Sequence, residues 1–249
     1  MAWKSMTGYV ILPALLFASY FACLHFSPPL AKQIFHTERG TIEMGTAFSF
    51  TVASCIAAWL FFKTRAVVAG RFRVLYCMFA IAGLFVALEE LSYGQKLFHW
   101  NSPEWFAENN LKSETNLHNM FGSKPSNRLR AIATIGCPIC CIVLPVIRRA
   151  RQGYRPGEWA YYLLPRYELA AMTVLTILLT VFNKIPSIKG MATWTGHLGE
   201  FKELYWGIIA ACYAGILSRR LLMQKRSSNV AAPESDERMH FTDSTRRAA

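Results

Sequence analysis

Residues 74–95 read VLYCMFAIAGLFVALEELSYGQ, an apolar run that ends in two adjacent carboxylates, Glu89 and Glu90. The run is long enough to cross the hydrocarbon core of a bilayer as a helix, which needs roughly 17–25 residues. A charged side chain near the centre of such a helix costs about 2.5–3.5 kcal/mol on insertion scales. A chain keeps such groups where they pair, bind an ion or do chemistry. The stretch therefore predicts a membrane-spanning helix with a polar site at its end.

Further apolar runs of similar length occur along the chain, which has 249 residues, 53% of them hydrophobic. Backbone in lipid must satisfy its own hydrogen bonds, so we expect helices. The runs are apolar on nearly all faces, which disfavours a soluble helical bundle. The predicted fold is all-α: a polytopic membrane protein of about six transmembrane helices, with a long, partly helical outer loop between the third and fourth. The predicted spans are residues 8–26, 42–62, 74–92, 130–147, 167–185 and 199–218.

Two regions are expected along the chain. Residues 1–223 would form the six-helix transmembrane domain, and the Ser-, Arg- and Glu-rich residues 224–249 a disordered cytoplasmic tail. The first apolar run follows Lys4, as in a signal peptide. It is long for one, however, and no clear small-x-small cleavage site follows, so we expect a retained span.

The formal net charge of +12 has a distribution that indicates topology. With the N-terminus inside, the cytoplasmic segments carry 17 of the 27 Lys and Arg residues. The positive-inside rule then predicts a multi-pass protein of the bacterial inner (plasma) membrane with both termini in the cytoplasm. The basic charge therefore predicts contact with the lipid bilayer, and anionic lipid in particular, but no nucleic acid.

The seven cysteines all lie within predicted spans, so no disulfide framework is expected. Cys137-Pro138-Ile139-Cys140-Cys141 contains a CxxC pattern. Without a second pair or a nearby histidine, the pattern favours small packing residues over a metal or redox site.

The outer loop, residues 93–127, is the longest connection, and loops above about 12–15 residues without a function are uncommon. Ser102 and Pro103 are typical of a helix start, with Ser102 as N-cap and Pro103 as the first helical residue. We expect one or two short helices there. A second short interfacial helix is expected within residues 157–165.

Ionisable and amide side chains cluster at the outer ends of the predicted spans. Adjacent carboxylates suit general acid/base work or proton transfer, so Glu89, Glu90 and His118 are candidate catalytic residues, with Gln95 beside them. The alternative is that a carboxylate pairs with Lys96 or Arg39 as a structural clamp. Polar side chains that could orient a substrate headgroup are Glu38, Glu43, Ser92, Asn116, Asn119 and Asn183.

Helical spacing also brings histidines and carboxylates onto common faces. Glu114 and His118 are four residues apart, and His197, Glu200 and Glu203 follow one another at intervals of three. Carboxylates and histidines from facing helices hold metals in bundles, so these five are a candidate site for a divalent metal ion, the only cofactor suggested. The alternative is that Glu200 and Glu203 pair with Lys202, Lys184 and Arg39.

The segments Glu89-Glu90-x-Ser92-x-Gly94-Gln95 and Glu114-Thr115-Asn116-Leu117-His118-Asn119 resemble those of a group of uncharacterised bacterial polytopic membrane proteins. The match covers mainly residues 85–122. More distantly, the chain resembles alkaline ceramidase-like membrane hydrolases, which bind zinc through three His with an Asp and a Ser. That resemblance implies a membrane hydrolase acting on lipid. The chain departs from it, since it has no Asp before Asp236 and six predicted spans instead of seven.

Three classes of function follow from these features. The leading expectation is an outward-facing Glu/His/Asn site that acts on a lipid or lipid-linked group as a membrane-embedded hydrolase or transferase. A small proton- or cation-coupled transporter is the second, and it predicts polar groups at mid-membrane depth. The third is a non-catalytic subunit or assembly factor with partners in a membrane complex.

Overall fold

The computed structural model describes most of the chain between residues 2 and 230. Its backbone is described for residues 2–27, 29–30, 41–66, 68–110, 112–117, 119–120, 124–151, 154–155, 157–182 and 195–230. Side chains are described for the same residues except 2–9, 24, 124–129, 195–197 and 226–230. Within these ranges the regular structure is helical, apart from one isolated antiparallel bridge between Asn110 and Met120.

The described helices, in chain order, are α1 (Ala2–Phe26), α2 (Thr41–Lys63), α3 (Gly70–Glu90), α4 (Gln95–Phe98), α5 (Glu104–Asn109), α6 (Lys124–Pro138), α7 (Leu144–Arg151), α8 (Trp159–Leu163), α9 (Ala170–Phe182) and α10 (Thr195–Val230). A 3₁₀ turn, Ser92–Gly94, joins α3 to α4. A π-helical segment, Ile139–Val143, joins α6 to α7 without a break.

Four helices among the described residues are long and apolar enough to cross a membrane. They are Thr41–Lys63, Gly70–Glu90, Arg130–Arg151 and Leu198–Lys225. Two shorter apolar helices, Val10–Cys23 and Ala170–Phe182, coincide with the first and fifth predicted spans. The all-helical class is thus confirmed, with four candidate membrane spans among the described residues, and the count of six stays a prediction.

Helix α2 forms the centre of the bundle, packed against α3 on one side and α10 on the other. The two contacts are close because small residues face each other there. A Cβ added at Gly83 of α3 would lie 2.6 Å from Ser54 Oγ, and one added at Gly207 of α10 would lie 3.0 Å from Ser49 Cβ. The Ser54 hydroxyl donates to the Ala80 carbonyl, 2.8 Å away. Close backbone approach at small residues is how helices pack in lipid.

One end of the bundle is closed by α8, whose carbonyl groups are bound by side chains from neighbouring helices. The Tyr76 hydroxyl donates to Tyr162 O at 2.9 Å, and the Tyr213 hydroxyl donates to Leu163 O at 2.5 Å. Arg220 Nη1 donates to the carbonyls of Tyr161 and Leu164, both at 2.8 Å. The short helix expected within residues 157–165 is therefore present, and its carbonyls, which a five-residue helix cannot satisfy internally, are bound.

At the other end, α1 and α10 meet through aromatic rings. Tyr20 and Phe201 are fully buried and stacked with their centroids 4.0 Å apart. The Tyr205 hydroxyl donates to Pro13 O at 2.5 Å. Helix α9 packs against both α1 and α10.

Two local features differ from what the sequence led us to expect. The helix expected in the outer loop is α5, but its N-cap is Pro103 rather than Ser102, and no side chain caps it. The Ser102 hydroxyl instead donates to Ser113 O at 2.7 Å, because the loop folds back over it. Helix α10 also continues to Val230, past the expected start of the tail at residue 224. No Gly or Pro interrupts the chain between these points.

Candidate functional site

The candidate site begins where α3 ends. After Glu90, three consecutive residues turn back in the left-handed region of backbone space: Ser92 at φ 47°, Tyr93 at φ 52° and Gly94 at φ 94°. For a residue with a Cβ, this conformation costs roughly 1–2 kcal/mol. Such strain persists where the surroundings hold it in place. The surroundings here are the described part of the second motif, residues 114–117 and 119.

Ser92 is fully buried against that second motif. Its hydroxyl donates to Glu114 Oε2 at 3.1 Å and accepts from Asn116 Nδ2 at 3.1 Å. Asn116 Nδ2 also lies 2.6 Å from Glu114 Oε2. The two segments that stand out in the sequence are therefore in direct contact, and three polar side chains from them form one hydrogen-bonded cluster.

Lys96 connects this cluster to the start of α2. Its ammonium lies 2.7 Å from Glu43 Oε2 and 3.8 Å from Glu114 Oε2. The side chain of Lys96 is 9% exposed and those of the two glutamates 14% each. Lys96 is thus a clamp whose ion-pair partners are Glu43 and Glu114.

Gln95, a candidate catalytic residue, uses both ends of its amide to hold the loop. Its Nε2 donates to Ser102 Oγ at 2.9 Å, and its Oε1 accepts from the Thr115 backbone N–H at 2.8 Å. A side chain engaged in this way positions its neighbours. The geometry thus supports a positioning role for Gln95.

Two of the three asparagines assigned to substrate binding, Asn116 and Asn119, also lie within the loop structure. Asn116 is fully buried and accepts from Asn110 Nδ2 through its carbonyl at 2.8 Å and its Oδ1 at 2.9 Å. The Asn119 backbone N–H is 3.4 Å from the same Oδ1. Asn119 Nδ2 is buried and has no hydrogen-bond partner among the described residues. Asn116, like Ser92, is occupied in building the loop.

Glu89 ties the end of α3 to the same loop. It is 5% exposed, and its Oε2 accepts from the Leu117 backbone N–H at 2.8 Å. Burial raises the pKa of the Tyr93 hydroxyl to about 12, and its hydrogen bond to Glu89 contributes to the same shift. Glu89 is therefore held in one orientation by groups on both sides.

A cavity of about 750 Å³ opens beneath Glu89 and Glu90, between α3, α6 and α10. Both glutamates line it, together with Leu117 from the loop. Most of the remaining wall is apolar and extends through the bundle to residues 163–165 beside α8. Its volume lies in the range of about 300–1,000 Å³ that ligand pockets occupy.

On the opposite wall, Arg130 of α6 and Glu203 of α10 face the cavity as an ion pair, with Nε 2.5 Å from Oε1. Glu203 therefore pairs with Arg130, a partner that the sequence did not suggest, while Arg39 and Lys184 lie outside the described residues. Arg130 is a site residue that sequence reasoning missed. A signal was present, since Arg130, Ala133, Cys137 and Cys140 recur at intervals of three or four and share one helical face.

The cysteine cluster lies on the same wall. Cys137, Cys140 and Cys141 all line the cavity, and Cys140 and Cys141 belong to the π-helical segment. Their thiols are free, and Cys137 Sγ is 4.0 Å from Thr173 Oγ1 of α9. Single π turns within α-helices often occur at functional sites.

The remaining candidates are spread over different places. Glu38, His118 and Asn183 lie outside the described residues, and of His197 only the backbone is described. Glu43 and Glu114 belong to the Lys96 clamp, whereas Glu203 faces the cavity. Glu200 is half-buried and does not line that cavity. Among the described side chains, no group of three His, Cys, Asp or Glu could hold a metal ion, and the five-residue metal set stays a prediction.

Comparison of the chain with protein-family models, with curated proteins and with solved structures found no match. The cavity and the loop that covers its polar end are therefore the features of the molecule that bear on its function.

Proposed function

We propose that this protein binds a lipid or a lipid-linked molecule in the cavity between α3, α6 and α10, and acts on its polar group as a membrane-embedded hydrolase or transferase. The observation that carries the proposal is that polar and apolar residues occupy different parts of the cavity wall. Ionisable side chains gather at one end, and the wall beyond them is mainly apolar. A molecule with a polar head and a long apolar chain is divided into a polar and an apolar part in the same way, so it would match this wall.

The apolar part of the cavity matches a hydrocarbon chain. Phe79, Ile209 and Ala210 are among its lining residues, and the neighbouring helices are apolar enough to lie in lipid. Burying a chain there gains roughly 0.8 kcal/mol for each CH₂ group taken from water. A chain already in the bilayer gains little, so the specificity must come from the polar end.

The polar end contains the groups needed for proton transfer. Glu90 is half-buried and lines the cavity beside Glu89, whose position is held by Leu117 N–H. In a hydrolysis, Glu90 would take a proton from the attacking water and return it to the leaving group. Arg130, already paired with Glu203, would face the negative charge that develops on the oxygen atoms around the bond being broken.

The competing functions are less well supported by the cavity. A proton or cation pathway needs polar groups at mid-membrane depth, and at that depth the cavity wall is formed largely by apolar residues and cysteines. A metal-assisted reaction would depend on His118 and His197. A non-catalytic subunit of a membrane complex would keep the cavity but show no turnover.

The membrane placement belongs to the same proposal: six spans in a bacterial inner membrane, both termini cytoplasmic, and the polar end of the cavity facing outwards. Two features support it. The short apolar helices α1 and α9 pack against each other as further spans would. The basic residues Arg148, Arg149 and Arg151 lie in α7, which precedes the α8 end of the bundle.

The test is to fill the cavity. A Cβ at Gly136 of α6 meets nothing within 4 Å, and the residue lines the cavity, so Gly136→Phe should insert its ring there. We expect lipid that co-purifies with the full-length protein, measured by mass spectrometry after extraction, to be lost in this variant. Glu90→Gln should retain the lipid but lose any conversion of a total membrane-lipid extract that the wild-type protein performs.

Each variant has a matched control. Gly215 of α10 also has open space around its Cβ but does not line the cavity, so Gly215→Phe should keep the bound lipid. Glu104 is an exposed carboxylate in the outer loop, so Glu104→Gln should leave conversion unchanged. Equal lipid in the two glycine variants would contradict the binding proposal. Lipid binding without any conversion would leave the subunit class as the better description.

A further inference from the structure

The cavity has a side opening at its polar end. Phe85 of α3 and Ile132 of α6 both line the cavity, yet they are 44% and 67% exposed on the outer surface of the bundle. Leu117 of the loop lines it as well and is 46% exposed. At this end, side chains that both line the cavity and are exposed border the place where the cavity comes nearest to the surface of the bundle. We call these three residues the mouth.

Helix packing explains why the mouth lies between α3 and α6. Helix α3 packs mainly against α2, whereas α6 packs against α9 on the other side of the cavity. The space between α3 and α6 is therefore bordered by two helices that are each anchored elsewhere. Both helices belong to candidate membrane spans, so the proposed membrane placement puts lipid outside the mouth.

From this geometry we infer that the ligand enters sideways from the bilayer, between α3 and α6, through the mouth formed by Phe85, Leu117 and Ile132. The inference rests on the proposed lipid-binding function and names its ligand more narrowly. The ligand is an amphiphile that resides in the bilayer, and water-soluble molecules are not its ligands. Its chain passes between the two helices while its polar head stays at the level of the carboxylates.

The chemistry of the mouth fits this path. Its three side chains are apolar, so a hydrocarbon chain can pass without meeting a charge. The backbone N–H of Leu117 is bound by Glu89 Oε2 at 2.8 Å, which places one side of the mouth directly beside the candidate acid/base pair. A head that follows its chain through the mouth would reach Glu89 and Glu90 first.

Entry can be timed with a photoreactive lipid. The full-length protein is reconstituted in vesicles and mixed with vesicles of total bacterial lipid in which a diazirine-bearing fatty acid has been incorporated. Flashes at successive times are followed by quantification of the labelled peptide that contains Cys137–Cys141, which faces the cavity. We expect Ile132→Trp to slow this labelling about tenfold by narrowing the mouth.

The control lies one turn away on the same helix. Ile135 is 64% exposed, close to the value for Ile132, but does not line the cavity, so Ile135→Trp should label at the wild-type rate. Should Ile132→Trp fail to fold, Ile132→Ala and Phe85→Ala provide a second test. Both variants widen the mouth, so labelling of the cavity peptide should become faster.

The outcomes separate the two proposals. Cavity labelling that is lost in Gly136→Phe but insensitive to every change at Ile132 and Phe85 would overturn sideways entry and keep the lipid site. The absence of cavity labelling in the wild-type protein would overturn both. Slowing by Ile132→Trp and not by Ile135→Trp would support entry through the mouth.

Discussion

Lys96 shows what a single residue decides in this protein. In the sequence it is one cation in a loop with several polar neighbours, and pairing with Glu89 or Glu90 was the expected alternative to catalysis. In the structure its ammonium joins Glu43 of α2 to Glu114 of the second motif. All three side chains are largely withdrawn from solvent, so this ion pair links the loop to the bundle.

Replacing Lys96 by alanine should therefore destabilise the protein. Removing one partner of a buried ion pair leaves an uncompensated charge, here on Glu43 and Glu114, and costs about 3 kcal/mol or more. We expect a clear fall in the thermal unfolding midpoint of the detergent-solubilised protein. Lys112, exposed in the same loop, is the control, and its alanine variant should unfold like the wild type. Equal midpoints for the two variants would show that the clamp contributes nothing.

At the scale of elements, the contact of α2 with α3 depends on one glycine. A Cβ at Gly83 would lie 2.6 Å from Ser54 Oγ and 3.3 Å from the Phe50 carbonyl. The two helices can approach this closely only because that atom is missing. Since Glu89 and Glu90 lie at the end of α3, the same contact sets where the carboxylates stand relative to the cavity.

Gly83→Ala should push α3 away from α2 and lower stability by about 1–3 kcal/mol, the usual cost of overpacking. Gly136→Ala, on a helix where the added atom meets nothing within 4 Å, should cost nothing measurable. Combining Gly83→Ala with Ser54→Ala removes the closest clash, so the double variant should lose less stability than the sum of the single variants. Strict additivity in denaturant titrations would rule out the close contact as the cause.

In the molecule as a whole, the number of membrane spans decides on which side of the membrane the loop lies relative to the termini. An odd number of spans between a terminus and the loop places them on opposite sides, and an even number places them on the same side. If α1 and α9 span, three helices separate each terminus from the loop that carries α5, and the loop lies opposite both termini. If only the four longer helices span, the loop lies on the same side as the termini. Locating the loop and the termini on one side of the membrane or the other therefore decides whether α1 and α9 both cross it.

We expect the loop to lie outside and both termini inside. Alkaline phosphatase is active only outside the cytoplasm, so an insertion after Asn101 should be active and a C-terminal fusion inactive. A fluorescent protein at the C-terminus should be bright. Activity or inactivity at both positions would contradict the six-span arrangement, and the reverse pattern would contradict the orientation predicted from Lys and Arg.

The helical class of the molecule and the location of its unusual polar residues follow from the order of its amino acids. Long apolar runs allow little besides helices in lipid, because backbone groups there must be satisfied within their own segment. Glu89 and Glu90 stand out in such a run because charge is costly there. The short helices α5 and α8 were also foreseeable from their local signals.

Which of these residues contact one another became clear only from the packing of the helices. Lys96 lies 53 residues from Glu43, and Arg130 lies 73 residues from Glu203. Local periodicity states which face of a helix a residue occupies but not which helix that face meets. The cavity and the division between residues that build the loop and residues that line the cavity depend on how separate helices pack. Packing is set by contacts between distant parts of the chain.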